Sequence, residues 1–139
     1  MRRQEVHRML DAGQVQTAND YFHAALIFQH GRQPDEYLLA HVLAVYAISL
    51  GDKDARWLAA ATLDRFLLSI SRPQIYGTQF ESVPGKTNSW AQRTMNSLLL
   101  SDTLRAAACV VPLKLQRAIL DEFNLSGRLD GGTDIRDCP

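Results

Sequence analysis

The stretch that decides the fold runs from residue 17 to residue 72 and reads TANDYFHAALIFQHGRQPDEYLLAHVLAVYAISLGDKDARWLAAATLDRFLLSISR. It contains three runs of apolar residues at helical spacing, separated by glycine, proline and acidic residues that are typical of helix ends. The first run follows Thr17, which has the spacing of a capping box, and ends at Gly31. The second run begins at Pro34 and ends at Gly51.

The third run predicts a helix from about Lys53 to Ser71, with Asp52 as its N-terminal cap and Pro73 beyond its end. Apolar residues lie on nearly every side of this helix. A helix of that kind is normally buried against several neighbours. We therefore expect the third helix to be central in an all-α fold.

The segments around these three helices carry weaker signals. Residues 2–12 predict a short amphipathic helix, and helix signals return after Ser101 and from Pro112 onward. Between them, residues 72–96 contain glycine, proline and small polar residues that predict a long ordered loop. We expect one helical domain over residues 1–124 and a flexible C-terminal tail over residues 125–139.

The composition excludes several classes of protein. The chain has 139 residues, 46% of them hydrophobic, and its fifteen basic residues balance fifteen acidic ones. Such a neutral chain lacks the basic surface that nucleic acids require, and no apolar run is long enough to span a membrane. Its two cysteines, Cys109 and Cys138, are too few for a disulfide framework, which predicts unpaired thiols in a reducing, cytoplasmic compartment.

The three helices show an internal offset of about 35 residues. Sliding the first helix onto the third pairs Phe22 with Trp57 and Ala24 with Ala59. Bulky aromatics and small alanines at this period resemble tetratricopeptide and Sel1-like helical repeats over about one and a half repeats. The resemblance implies helical hairpins and a groove that binds a peptide or protein partner.

A second resemblance is more local and involves the segment Gln74-Ile75-Tyr76-Gly77-Thr78-Gln79. Together with Asp64-Arg65 before it and with residues 101–105 and 111–113 after it, this segment resembles an uncharacterised helical family with a QxYGTQ signature. That family is a domain of unknown function. The resemblance therefore implies a fold and a place to look for a site, and it implies no reaction.

Asp64 is the acidic residue with the most unusual surroundings. Its neighbours seven, four and three positions before it and four positions after it are apolar, so the helix buries this carboxylate. A buried carboxylate needs hydrogen-bond donors or has to be protonated. The candidate partners are Arg65 of a neighbouring copy, Arg72, His23, His30 and the backbone amides of residues 76–79. Asp64 is then either an anchor for this loop or a perturbed acid or base in a cleft.

A wider polar cluster is predicted if the first and third helices pack side by side. Its members, which would either bind a ligand or form an internal structural network, are Gln29, His30, Asp64, Arg65, Tyr76, Thr78 and Gln79. Arg65 would be suited to holding a carboxylate through two hydrogen bonds. The sequence indicates no metal site and no cofactor, because His23 and His30 have no third ligand at a fixed spacing.

Three functional interpretations follow from these patterns. The first is a helical-repeat-like interaction domain that binds a peptide or protein in a groove. The alternative is a small enzyme or small-molecule-binding protein that uses the polar cluster around Asp64, Arg65, His30 and the Tyr76–Gln79 loop. A third interpretation is a subunit that buries its apolar helices in a homo-oligomer. The sequence leaves open whether any reaction is catalysed, and it predicts neither a nucleic acid nor a membrane as partner.

Overall fold

The computed structural model describes residues 2–126 and Cys138, and within them it contains six helices and one small antiparallel sheet. The sequence predicts an all-α fold, and the structure is mostly helical with a small two-stranded sheet in addition. The elements in chain order are α1 (Arg2–Asp11), α2 (Ala18–Phe28), α3 (Pro34–Ser49), α4 (Ala55–Ser69), β1 (Phe80–Ser82), β2 (Trp90–Gln92), α5 (Asp102–Ala107) and α6 (Leu113–Ser126).

The start of α2 agrees with the sequence, and the start of α4 does not. Thr17 and Asp20 form the predicted capping box, in which each side chain accepts a hydrogen bond from the other residue's backbone amide. The predicted cap at Asp52 is wrong, because α4 begins at Ala55 and its N-cap residue is Asp54. The Asp52 carboxylate instead accepts a hydrogen bond from the Asp54 amide and closes the turn between α3 and α4.

The core lies where α3 packs against both α2 and α4, and α2 and α4 also contact each other. Alanines dominate this contact, because their small side chains let the helix axes approach closely. The buried cluster consists of Ala24, Ala25, Phe28, Ala40, Leu43, Ala44, Leu58 and Ala59. Helix α1 adds Val6 and Leu10 to its edge and has no buried residue of its own.

The segment 72–96, which the sequence predicts to be a loop, contains the two strands. They pair in antiparallel fashion with Phe80 opposite Gln92, and an isolated bridge joins Gln74 to Met95. Each strand has only three residues, so neither is long enough to show an alternating pattern. The segment therefore consists of a short hairpin and a preceding loop, residues 75–78, which bonds to Asp64 of α4.

Helix α6 holds this hairpin from the other side. The Trp90 and Phe123 rings meet edge to face with centroids 5.9 Å apart. The Asn124 side chain accepts a hydrogen bond from the Trp90 amide at 2.7 Å and donates one to the Trp90 carbonyl at 2.9 Å. The Asn124 side-chain amide thus pairs with the backbone amide and carbonyl of Trp90, as the backbone of a neighbouring strand would.

The two cysteines form a disulfide between Cys109 and Cys138, so the prediction of two unpaired thiols is wrong. A separation of 29 residues gives no sequence signal for pairing, and the packing of the chain brings the two Cα atoms to 5.4 Å. The disulfide removes the basis for expecting a reducing, cytoplasmic compartment, which was the assumption of two unpaired thiols. The predicted tail over 125–139 lies mainly outside the described residues, since α6 ends at Ser126 and Cys138 is described only at the disulfide.

None of the helices in the described part of the chain has the length and apolar character needed to cross a membrane.

Breaking the disulfide should lower stability. Closing a loop of this size restricts the unfolded chain, and the expected loss in the Cys138→Ser variant is about 3 kcal/mol in the free energy of unfolding. Chemical denaturation with and without a reductant measures it, and the reductant should have no effect on the variant. Two thiols that react with a maleimide in the denatured, unreduced protein would contradict the pairing.

Candidate functional site

The Asp64 carboxylate is 0% exposed and accepts five hydrogen bonds from the loop that follows α4. Its Oδ1 atom accepts from the amides of Ile75 at 2.8 Å and Tyr76 at 3.0 Å. Its Oδ2 atom accepts from the amides of Gly77 and Thr78, both at 3.0 Å, and from the Thr78 hydroxyl at 2.8 Å. Of the partners that the sequence allowed, the structure selects the loop amides, shifted by one residue from the predicted 76–79. The Ile75 amide takes part, and the Gln79 amide instead donates to the Gln74 side chain.

Four successive amides can point at one carboxylate only if the backbone curves sharply around it, as in other backbone anion nests. Gly77 makes this curve with a φ angle of +89°, in the left-handed region that favours glycine. A β-carbon at this position would lie 2.8 Å from the Gln92 side-chain nitrogen and would also overlap the Gln116 side chain. Gly77 is therefore required both by its conformation and by its neighbours.

Buried glutamines hold the outer side of the same loop. The Gln74 amide group donates to the carbonyls of Gln79 and Arg93 and accepts from the Gln79 backbone amide at 2.9 Å. Gln116 of α6 donates to the Tyr76 carbonyl at 2.9 Å. The carbonyls of Tyr76 and Gln79 and the Gln79 amide thus have side-chain partners, as buried polar groups require.

Arg105 also holds the loop, by donating a hydrogen bond to the Ile75 carbonyl. It is not among the site residues predicted from the sequence. Its side chain is almost fully buried in α5 and donates to the carbonyls of Leu100, Ser97 and Ile75 and to the Asp102 carboxylate. The backbone amide of Leu113, with a smaller effect of Arg105, lowers the pKa of Asp102. Nothing in the local sequence distinguishes this arginine from an exposed helical one.

The geometry of Asp64 gives it a structural role. Both oxygens are fully occupied by the loop and enclosed by it, so a substrate has no path to them. The neighbouring Tyr76 phenol is half-buried, and burial raises its pKa, with a smaller contribution from the Asp64 charge. The carboxylate therefore anchors the loop to α4.

The seven residues of the predicted polar cluster fall into four places. Asp64, Tyr76 and Thr78 form the anchored loop. The Gln29 side chain is buried, and its backbone carbonyl accepts a hydrogen bond from Arg65 at 3.4 Å. The remaining three divide between two cavities: Arg65 and Gln79 line one, and His30 lines the other.

The first cavity, which we call the arginine pocket, has a volume of about 320 Å³. Three arginines from separate segments converge on it: Arg32 from the α2–α3 turn, Arg65 from α4 and Arg93 after β2. Its other lining residues are Pro34, Tyr37, Leu68, Ser69 and Gln79. Arg65 is partly buried, and this burial lowers its pKa. Arg65 and Gln79 belong to the predicted polar cluster, whereas Arg32 and Arg93 do not, because they lie outside the periodic helical segments.

The second cavity, which we call the α1–α2 groove, has a volume of about 630 Å³. Its lining comprises Arg2, Arg3, Gln4 and His7 of α1, His23, Leu26 and Ile27 of α2, and His30 and Glu36. Three histidines line it, but no group of three His, Cys, Asp or Glu residues within the described part of the chain has a geometry that could hold a metal ion.

Comparison with known proteins gives no assignment. No protein-family model, no curated protein and no solved structure matches this chain.

Replacing Asp64 by Asn should destabilise the protein severely. The amide group of Asn would point hydrogen-bond donors at backbone donors and leave buried amides without an acceptor, so we expect a loss of about 3 kcal/mol or more. The matched control is Asp121→Asn on the exposed side of α6, expected to change stability by less than about 0.5 kcal/mol. Urea unfolding measures both, and equal stabilities for the two variants would contradict the anchoring role.

Proposed function

We propose that this chain is an interaction domain that binds an acidic peptide segment of a protein partner in the α1–α2 groove. The observation that carries the proposal is the composition of the groove, which combines an apolar floor with a basic rim. Its volume of about 630 Å³ lies within the range of ligand-binding clefts.

Two residues of α2 supply the apolar floor. Leu26 and Ile27 are half-buried, and Leu26 packs against the core cluster, so the floor is rigid. The opposite wall is held in place by His7 of α1, whose ring meets the Phe28 ring edge to face at 4.8 Å. Such a floor favours a partner segment that carries an apolar side chain.

The charges on the rim favour acidic residues beside that apolar side chain. Glu36 is the one acidic residue of the lining, and its carboxylate is already engaged by Arg3 at 2.6 Å and by the amides of Arg32 and Gln33. These bonds, led by the Arg32 amide, lower the pKa of Glu36 and keep it ionised. Arg2 has no ion pair with any residue that the structure describes, so it is available to a carboxylate of the partner.

The helical architecture is consistent with this role. Helices α2, α3 and α4 pack in succession, as in the tetratricopeptide and Sel1-like repeats that the sequence resembles. Proteins of that architecture present grooves between helices to extended partners. The alternative function, binding of a small molecule, is favoured by one observation, the arginine pocket with its volume of about 320 Å³.

The proposal is tested by selecting peptides from a random phage-displayed library and measuring the affinity of the selected sequences. We expect acidic sequences with an apolar residue, bound about tenfold more weakly by Ile27→Ser and severalfold more weakly by Arg2→Gln. The matched control is Arg8→Gln, because Arg8 lies on the same helix, pairs with Glu5 and does not line the groove. Thermal unfolding shows whether each variant is folded.

Two results would contradict this function. One is a selection that yields no binding sequence or only sequences without acidic residues. The other is unchanged affinity of the selected peptides for a folded Ile27→Ser variant, which would place their binding outside the groove.

A further inference from the structure

The arginine pocket is separate from the α1–α2 groove and is built from different parts of the chain. Arg32, Arg65 and Arg93 come from three segments that are distant in sequence and that the fold brings to one cavity. Three like charges repel one another, so a cluster of guanidinium groups around a cavity is stable chiefly when an anion compensates it.

The neutral polar groups of the pocket are already used within the protein. The Tyr37 hydroxyl donates to the Gly31 carbonyl at 2.8 Å, and the Ser69 hydroxyl donates to the Phe66 carbonyl at 2.6 Å. The Gln79 amide donates to the Thr78 hydroxyl oxygen at 3.0 Å. The guanidinium groups are consequently the donors that remain for a ligand.

Among the residues that line the pocket, Arg65 has a buried hydrogen-bond donor without a partner. Its Nε atom is buried and has no hydrogen-bond partner, and one terminal nitrogen makes only a long bond of 3.4 Å to the Gln29 carbonyl. A buried charged donor without an acceptor is unfavourable, and an oxyanion in the pocket would remove this penalty. This incomplete side chain therefore points to a ligand with oxygen acceptors.

The charge balance indicates how many negative charges that ligand carries. Of the three arginines, Arg93 pairs with the Glu81 carboxylate at 3.3 Å, at the surface. Arg32 and Arg65 form no ion pair among the described residues, and no acidic residue lines the pocket. Two uncompensated positive charges match a dianion better than a single carboxylate.

We infer that the arginine pocket is a binding site for a phosphate monoester. A phosphate monoester carries between one and a half and two negative charges near neutral pH and presents three acceptor oxygens. The arginines would donate the hydrogen bonds to the phosphate, because a planar guanidinium group binds phosphate oxygens through two parallel N–H bonds. Pro34 and Leu68 supply apolar walls for the organic part, and about 320 Å³ leaves room for a small one.

The test uses binding calorimetry together with the NMR signal of the Arg65 Nε–H group. The probes are inorganic phosphate, glycerol 3-phosphate, a phosphoserine pentapeptide and, as an anion control, acetate. We expect both esters to saturate the pocket and to shift the Arg65 signal, with acetate at least about tenfold weaker. The tighter of the two esters identifies the source of the phosphate, a small metabolite or a modified protein.

Substitutions of arginines inside and outside the pocket test whether the esters bind there. Arg65→Gln should weaken ester binding about tenfold or more, and Arg65→Lys should recover little of it, because a lysine keeps the charge and loses the fork. Arg117→Gln, on the exposed side of α6, should leave binding unchanged. If Arg65→Gln does not fold, Arg93→Gln gives the same comparison with a more exposed side chain.

Three outcomes would overturn the inference. The first is the absence of saturable binding of phosphate and of both esters up to about 10 mM, with an unmoved Arg65 signal. The second is equal affinity of the esters for the wild type and a folded Arg65→Gln or Arg93→Gln variant. The third is acetate binding as tightly as the esters, which would contradict the assignment to phosphate. None of these results bears on peptide binding in the α1–α2 groove, because the two cavities share no lining residue.

Discussion

A carboxylate enclosed by protein must be matched by hydrogen-bond donors, and this requirement organises the C-terminal half of the molecule. Asp64 meets it by drawing the backbone of residues 75–78 onto α4. The loop then needs partners for its outward groups, which Gln74, Gln116 and Arg105 provide from the hairpin, α6 and α5. The helical core and the C-terminal elements are thus joined through the buried Asp64 carboxylate and the polar network around it.

The same anchor places the residues of the arginine pocket. Arg65 follows Asp64 in α4, so its side chain emerges about 100° around the helix axis, away from the enclosed loop. Gln79 comes directly after the anchored Thr78, and Arg93 follows the strand that pairs with β1. The arginine pocket therefore depends on the hydrogen bonds between Asp64 and residues 75–78, although none of these residues lines it. The α1–α2 groove depends instead on the packing of α1.

How much the sequence could predict depends on the distance over which each interaction acts. The helices of residues 17–72 were predictable because caps and helical spacing are local. The burial of Asp64 was also predictable, since its neighbours along the helix are apolar. The hairpin was not predictable, because its three-residue strands are too short to show an alternating pattern. Neither was the disulfide, whose cysteines are 29 residues apart, nor the buried Arg105, which bonds to the Ile75 carbonyl 30 residues away.

The central claim is that the amides of residues 75–78 are held by Asp64 as firmly as the core is held together. Native-state hydrogen exchange followed by NMR measures this directly for each amide. We predict that these four amides exchange hydrogen as slowly as the amides of Leu43 and Ala44 in the centre of α3. All six amides should become accessible to solvent only when the whole molecule unfolds. Exchange as fast as that of the exposed Asn88 amide would show that the loop opens independently, and would contradict the account.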